Sequence, residues 1–480
     1  MKASRLVLIA LCVGFIAGCV PEKRIVWTAD GRTGAVVSDR GVFLIDANGR
    51  PLPGRAGIHA LRATWCRDGS GLLIVSQITV NTWEEVSAVL TDAQKQHVIE
   101  TAQVVKPRIL AHEGDWDHFE MTPNQDTPGG LLAAVLVYIR DKDPEGMREK
   151  LGDKWKSLTE IKPNVCRLDL YKRDGDQLTF RRRLVNSLDE ISCPASSPDD
   201  QFVAFNMDYW SGAEEMTGRA LQIVGLEAGT PRPVAIQVAS GLDWSPDGRH
   251  LAYVRSSVRR KESEAVLQLG SLATIRVRND QGELLKEWTE QIDRAGLLYN
   301  PMACVKWLRD GRLLFVSVEM TLPATQHDMP RQWSIFAVDP RVAAGLSRVL
   351  ARDFDAPINA AIGWFEVSPD ESRVLIPCEH GQVAIYNMAT AETQLLLPSV
   401  NPQADVKSLP TWRDNSEVWL VDPGSAPANP EVVIWKAGKI RPISENWPNE
   451  LREGWIGHSP AGSDESKATP DQQSTKPARQ

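Results

Sequence analysis

The feature that most constrains this chain is a phrase it keeps repeating. GLDWSPDGRHLAYVRS, Gly241 to Ser256, places a tryptophan before a Ser-Pro-Asp-Gly turn and an apolar run after it. Related phrases are WTADGRTGAVVS from Trp27, WCRDGSGLLIVS from Trp65, WLRDGRLLFVSV from Trp307, FEVSPDESRVLIP from Phe365 and, more loosely, PASSPDDQFVAF from Pro194 and TWRDNSEVWLV from Thr411. Asp-Gly in a tight connection is a hairpin signal, because Asp tolerates the turn and Gly adopts positive φ without a steric penalty. Each phrase therefore reads as strand, turn, strand. Second hairpins follow many of them, as in VFLIDANGRPL from Val42, IRVRNDQGELLKEW from Ile275 and AIYNMATAETQLLL from Ala384, which makes four antiparallel strands per unit.

A fainter copy, FEMTPNQDTPGGLLAAVLVYI from Phe119, aligns with the phrase at Phe365 if a few residues are inserted at the turn. Counting it gives eight units, anchored at Asp30, Asp68, Asn124, Asp199, Asp247, Asp310, Asp370 and Asp414, with seven as the runner-up. A four-stranded unit cannot bury both of its faces alone, whereas units arranged radially bury each face on the next and leave only short edges. The expectation is an all-β propeller over 24–457, with Trp and apolar run as packing between blades.

WSPDGRHLAYV at Trp244 also resembles the repeat of TolB-like β-propellers, which are related to the propellers beside the catalytic domain of prolyl oligopeptidases. The resemblance runs from about Arg24 to Ser444. It implies the fold and leaves function open, since propellers host many unrelated activities.

Two segments depart from the repeat. DPEGMREKLGDKWKSLTEI from Asp143 has Pro at a first helical position and Met147, Leu151, Trp155 and Leu158 at helical spacing, which predicts a helical insertion near 143–160, within the third blade. TWEEVSAVLTDAQKQHVIETA from Thr82 carries a capping box in Thr82 and Glu85, yet VSAVL and HVIET also fit the second hairpin of blade two. Strands are the expectation there.

Residues 1–18 have the layout of a secretory signal: Lys2 and Arg5, then the apolar run Leu6 to Ile16, too short for a membrane span. Ile16-Ala17-Gly18-Cys19 resembles the lipobox of bacterial lipoproteins, which implies that Cys19 carries a diacylglycerol and becomes the new N-terminus. Residues 19–23 are then a short spacer. Residues 458–480, rich in Ser, Pro and charge, have too little apolar content to fold and read as a disordered tail. The cysteines left after Cys12 and Cys19 are Cys66, Cys166, Cys193, Cys304 and Cys378, an odd number scattered in apolar runs, which fits buried thiols better than a disulfide framework.

Catalytic signatures are sparse. The chain has no GxSxG elbow between strand and helix, no HExxH, no phosphate loop and no dinucleotide fingerprint, so no cofactor is expected. A net charge of −8 gives no footprint for nucleic acid. The best metal candidate is HEGDWDH, with His112, Asp115, Asp117 and His118 in one stretch, against the plainer reading of a solvated polar loop. Seven tryptophans, Trp27, Trp65, Trp244, Trp307, Trp364, Trp412 and Trp419, lie in or beside the repeat phrases and read as core rather than as carbohydrate platforms. The sequence therefore points to a lipid-anchored propeller of the bacterial cell envelope, on the periplasmic or outer-membrane side, acting as a non-catalytic scaffold for an envelope protein. The alternative is a propeller hydrolase or lyase acting on envelope glycans or peptides.

Overall fold

In a computed structural model, the described residues are 23–38, 40–57, 59–111, 129–209, 218–236, 238–260, 266–298, 304–317, 334–341, 346–348, 364–378, 382–396, 408–421, 431–448 and 450–451. Among them are seven four-stranded antiparallel sheets, each built from four strands consecutive in the chain. The blades span 25–56, 60–187, 192–236, 238–298, 305–348, 366–395 and 411–442. The core is divided in the same way. One apolar cluster fills each of the seven seams between neighbouring blades, including the seam between the seventh and the first.

The repeated phrase accounts for the seams. Trp244 on the inner strand of blade 4 is 1% exposed, and its indole Nε1 donates to Ala195 O on the inner strand of blade 3 at 3.1 Å. Trp65 donates likewise to Val26 O at 3.1 Å, and Trp412 to Glu366 O at 3.3 Å. The ring thus buries a large apolar area while its N–H satisfies a carbonyl on an inner strand, whose channel-facing edge has no neighbouring strand.

The turn is equally specified. Ser245 Oγ donates to Asp247 Oδ1 at 2.6 Å, Asp247 Oδ1 accepts Arg249 N–H at 3.0 Å, and Ser245 Oγ accepts His250 N–H at 2.9 Å. Thr28 with Asp30, Ser197 with Asp199 and Ser368 with Asp370 repeat the 2.6 Å contact. Gly31, Gly69, Gly248 and Gly311 follow the Asp at positive φ. Asp200 and Glu371 occupy the same position at φ 52° and 60°, and each reaches back to the preceding blade's turn: Asp200 accepts the N–H groups of Arg67 and Asp68, and Glu371 accepts that of Arg309.

Among the described residues no strand from one end of the chain completes a blade at the other, and side chains close the ring. Trp27 meets Trp419 edge-on at 4.7 Å, Trp447 Nε1 donates to Gly49 O at 2.8 Å, and Arg413 Nη1 donates to Ala47 O at 2.8 Å.

Three expectations are corrected. The fold is seven-bladed because the eighth unit is not a blade. Its anchor Asn124 lies outside the described residues, and its apolar run belongs to a 14-residue helix, Gly129–Lys142. That run is apolar on consecutive positions, a pattern shared by buried strands and buried helices, and its length and Ala-Ala-Leu content favour the helix. The stretch from Thr82 is helical too: α1 (Trp83–Ser87) is capped by the Thr82 and Glu85 box, and α2 (Asp92–Ala111) buries Val98, Ala102, Val105 and Ile109 at a period near 3.6. Finally, the insertion lies in blade 2, between Gly71–Thr79 and Asn164–Asp174, and extends well beyond 143–160. Its described residues form α1, α2, α3 (Gly129–Lys142), α4 (Pro144–Leu151) and α5 (Trp155–Glu160) around an apolar cluster that also takes in Val165 of blade 2 and Leu188 of the following linker. Pro144 stands at the start of α4, as the sequence predicts, and Asp143 caps the helix. Among the described residues no helix is long and apolar enough to cross a membrane.

Candidate functional site

Meandering strands sort the connections by end. The first-to-second and third-to-fourth connections lie at one end of the ring; the second-to-third connections and the links between blades lie at the other. At the first end the chain turns tightly, through 28–32, 66–70, 197–201, 245–249, 308–312, 368–372 and 415–416. The longest connections, 80–163, 318–333, 349–365 and 396–410, all belong to the second end. Because binding residues concentrate on variable connections held by a rigid frame, the second end is the place to look.

There, at blades 2 and 3, four chain segments bring charge together. Residues 188–191 lead into the inner strand of blade 3, Ser192–Ser196. Arg62, from the inner strand of blade 2, donates to Ile191 O at 2.9 Å and pairs with Glu190 Oε1 at 2.9 Å. Arg219 donates to Ser192 Oγ at 2.5 Å and stands opposite Asp208 in the ladder of blade 3. Its Nε is buried with no partner among the described residues. Asp189 is 8% exposed; burial, and then the Asp208 carboxylate, push its carboxyl up to about 7. Asp208 is raised as well: solvent reaches it, but the surrounding protein disfavours its charge more than Arg219 restores it. A carboxyl near neutrality beside a second acid is an arrangement found at functional sites.

Local backbone supports the cluster. The ladder of blade 3 slips between Ala204 and Asn206, leaving two residues of the inner strand opposite one, and Cys193 in that bulge has φ 51°. Pro194 beside it loses nothing by lacking an N–H at an edge. The insertion docks on the same linker: a Cβ on Gly130, at the start of α3, would lie 2.7 Å from Leu188 O and 2.8 Å from Asp189 Oδ1, so only glycine fits without movement.

The other inner strands are also polar. Lys306 pairs with Asp243 at 3.0 Å, Lys23 with Glu366 at 2.7 Å, and Thr411 Oγ1 donates to Glu366 Oε1 at 3.4 Å. The Cys304 thiol donates to Phe365 O at 3.6 Å, and burial pushes it up to about 12; Cys193 is raised by burial too. Cys66 and Cys166 are buried, at about 12 and 11, and such thiols are poor nucleophiles. None of the five described cysteines forms a disulfide.

Cys19 and the metal candidates His112, Asp115, Asp117 and His118 lie outside the described residues. Among the described residues no group of three or more His, Cys, Asp or Glu side chains is arranged to hold a metal. Of the seven tryptophans read as core, Trp65, Trp244, Trp307, Trp412 and Trp419 are buried, whereas Trp27 and Trp364 are half-buried. Sequence reasoning missed Arg62, Asp189, Asp208 and Arg219. They come from separate segments with no shared spacing, so no pattern in the sequence joins them.

No protein-family model and no curated protein matches the chain. Solved structures similar to it include a puromycin-hydrolyzing peptidase from Mycobacterium tuberculosis (18% identity, 58% of this chain and 43% of that chain, TM-score 0.39). They also include an oligogalacturonate lyase from Vibrio parahaemolyticus (10% identity, 78% and 75%, TM-score 0.38) and a putative TolB from Agrobacterium tumefaciens (13%, 55% and 83%, TM-score 0.30). The chain matches less than half the length of the peptidase. At these identities the likeness concerns the propeller fold alone.

Proposed function

We propose that this chain is a lipid-anchored β-propeller of the bacterial cell envelope, working as a non-catalytic scaffold that binds a protein partner at the insertion-bearing end of the ring. The observation that carries the reading is the asymmetry of the two ends. One is closed by short, mutually hydrogen-bonded turns, whereas the other bears a five-helix insertion built around an apolar cluster, beside a group of arginines and carboxylates. Mixed charge over a partly apolar frame suits protein recognition, where arginine and complementary acids fix register.

The test uses the continuity of blade 2. Thr79 and Asn164 are ladder partners and Val80 N–H donates to Pro163 O at 2.9 Å, so a two-residue turn can replace 81–162. The shortened ring should remain folded and lose the adducts that crosslinking in intact cells yields with the full chain. Unchanged adducts would overturn the reading.

A second reading rests on Asp189. A carboxyl near neutrality next to Asp208 could donate or accept a proton in hydrolysis or elimination of an envelope glycan or peptide. Under that reading Asp189→Asn abolishes turnover on a panel of such substrates while partner capture persists. Under the scaffold reading, the wild-type chain turns over none of them.

A further inference from the structure

We infer that the ring sits with the insertion-bearing end of its channel toward the lipid bilayer and its tight-turn end away from it. The inference rests on the lipid anchor at Cys19 proposed above, and follows from where the chain enters the ring.

The entry point is fixed on three blades. Arg24 O accepts Val37 N–H at 2.7 Å in blade 1, Arg24 N–H donates to Ser408 Oγ at 3.3 Å on the way into blade 7, and Lys23 Nζ reaches Glu366 Oε1 of blade 6 at 2.7 Å. All three contacts precede the first inner strand, Ile25–Trp27, which runs from the insertion-bearing end toward the turn at 28–32. Lys23 therefore lies near the ring axis at the insertion-bearing end.

Chain length then decides the orientation. Four residue steps separate Cys19 from Lys23, and a fully extended chain covers at most about 3.6 Å per step, so the acylated residue lies within about 14 Å of the entry point by any path. The six-residue strand Gly41–Asp46 sets the height of blade 1 at about 20 Å, since a strand rises about 3.4 Å per residue. A route down the channel is too long. A route around the outside is longer still, because it adds the width of four strands spaced about 4.8 Å apart. The acyl chains can leave only at the insertion-bearing end, and that end is held against the headgroups. The proposed partner is then met at the membrane surface.

The experiment uses the full chain, purified from bacterial membranes and placed in vesicles of phosphatidylethanolamine and phosphatidylglycerol that contain a headgroup-labelled acceptor lipid. A donor dye is attached at Arg40→Cys or at Asn48→Cys, exposed positions at opposite ends of blade 1. The unsubstituted chain supplies the background from native thiols. With the two positions about 20 Å apart along the blade, energy transfer should be at least about twofold greater from position 40 than from position 48. Equal or reversed transfer, in protein whose Cys19 mass spectrometry finds acylated, would overturn the orientation and leave the anchor standing. A mature N-terminus without lipid on Cys19 would overturn both. Inserting about 30 Gly and Ser residues between Val20 and Pro21 gives a tether of about 30 Å and should bring the two values together. A difference that survives the long tether would show that the tether does not set the orientation.

Discussion

The tight-turn end of the ring and the cluster between blades 2 and 3 treat their carboxylates in opposite ways. At the tight-turn end, Thr28 and the Arg32 N–H hold Asp30 below its ordinary range. Burial works against the charge at Asp68, Asp199, Asp247, Asp310, Asp370 and Asp414, yet hydrogen bonds from hydroxyls, N–H groups and arginines outweigh it at every one. In the cluster between blades 2 and 3, burial raises Asp189, and the surrounding protein raises Asp208 although solvent reaches it. The first end uses its charges to fix turns and contributes to stability. The second holds acids where they oppose it. The difference teaches that similarly acidic residues stabilise or strain the ring according to whether the fold meets them with donors.

The largest test of this contrast removes the seam on which both ends depend. Trp244→Ala should destabilise the ring by about 3 to 5 kcal/mol, as aromatic truncations in cores do, and leave the Ala195 carbonyl without its donor. Chemical denaturation measures it. A folded variant of unchanged stability would break the account of the repeat.

Next in size is a pH effect of opposite sign at the two ends. Asp189 is raised from an unfolded value near 3.9 to about 7, so the folded state holds the extra proton between those values and stability falls as pH rises through them. Asp189→Asn should flatten that fall and make the chain more stable than wild type at pH 8, by on the order of 3 to 4 kcal/mol. The lowered aspartates of the tight-turn end act in reverse: their contribution is present above about pH 4 and is lost as pH falls through their depressed values. Denaturant midpoints from pH 3 to 8 for both proteins decide it. An alkaline limb identical in the variant would sink the role given to Asp189.

Smaller still, Gly130→Ala should loosen the insertion and spare the ring, since the added methyl meets Leu188 O and Asp189 Oδ1. Overpacking of this kind costs about 1 to 3 kcal/mol. Hydrogen exchange should quicken in α3 while the blades keep their protection; faster exchange throughout would mean that insertion and ring form one cooperative unit. The smallest effect is Ser245→Ala, about 1 kcal/mol for the lost turn bonds, read as a shift in thermal midpoint. No shift would show that Asp247 alone holds the turn.

The sequence by itself determined the ring. Each repeat is specified within about a dozen residues, by a tight turn built on an Asp, with Gly at positive φ in four copies, and the apolar run beyond, and local chemistry of that kind is legible without the fold. It also marked α4 through Pro144 and the spacing of Met147 and Leu151. Only the tertiary structure decided the number of blades, because Leu131 to Ile139 is apolar at every position and nothing local tells a buried helix from a buried strand. The same holds for α2, whose packing on the insertion core overrode the strand preference of HVIET. The site is the extreme case: Arg62, Asp189, Asp208 and Arg219 share no spacing, and what matters about Asp189 is the protein that surrounds it. Desolvation and proximity are properties of the folded ring, so these residues become a site only once the seam between blades 2 and 3 has closed and α3 has docked on their linker.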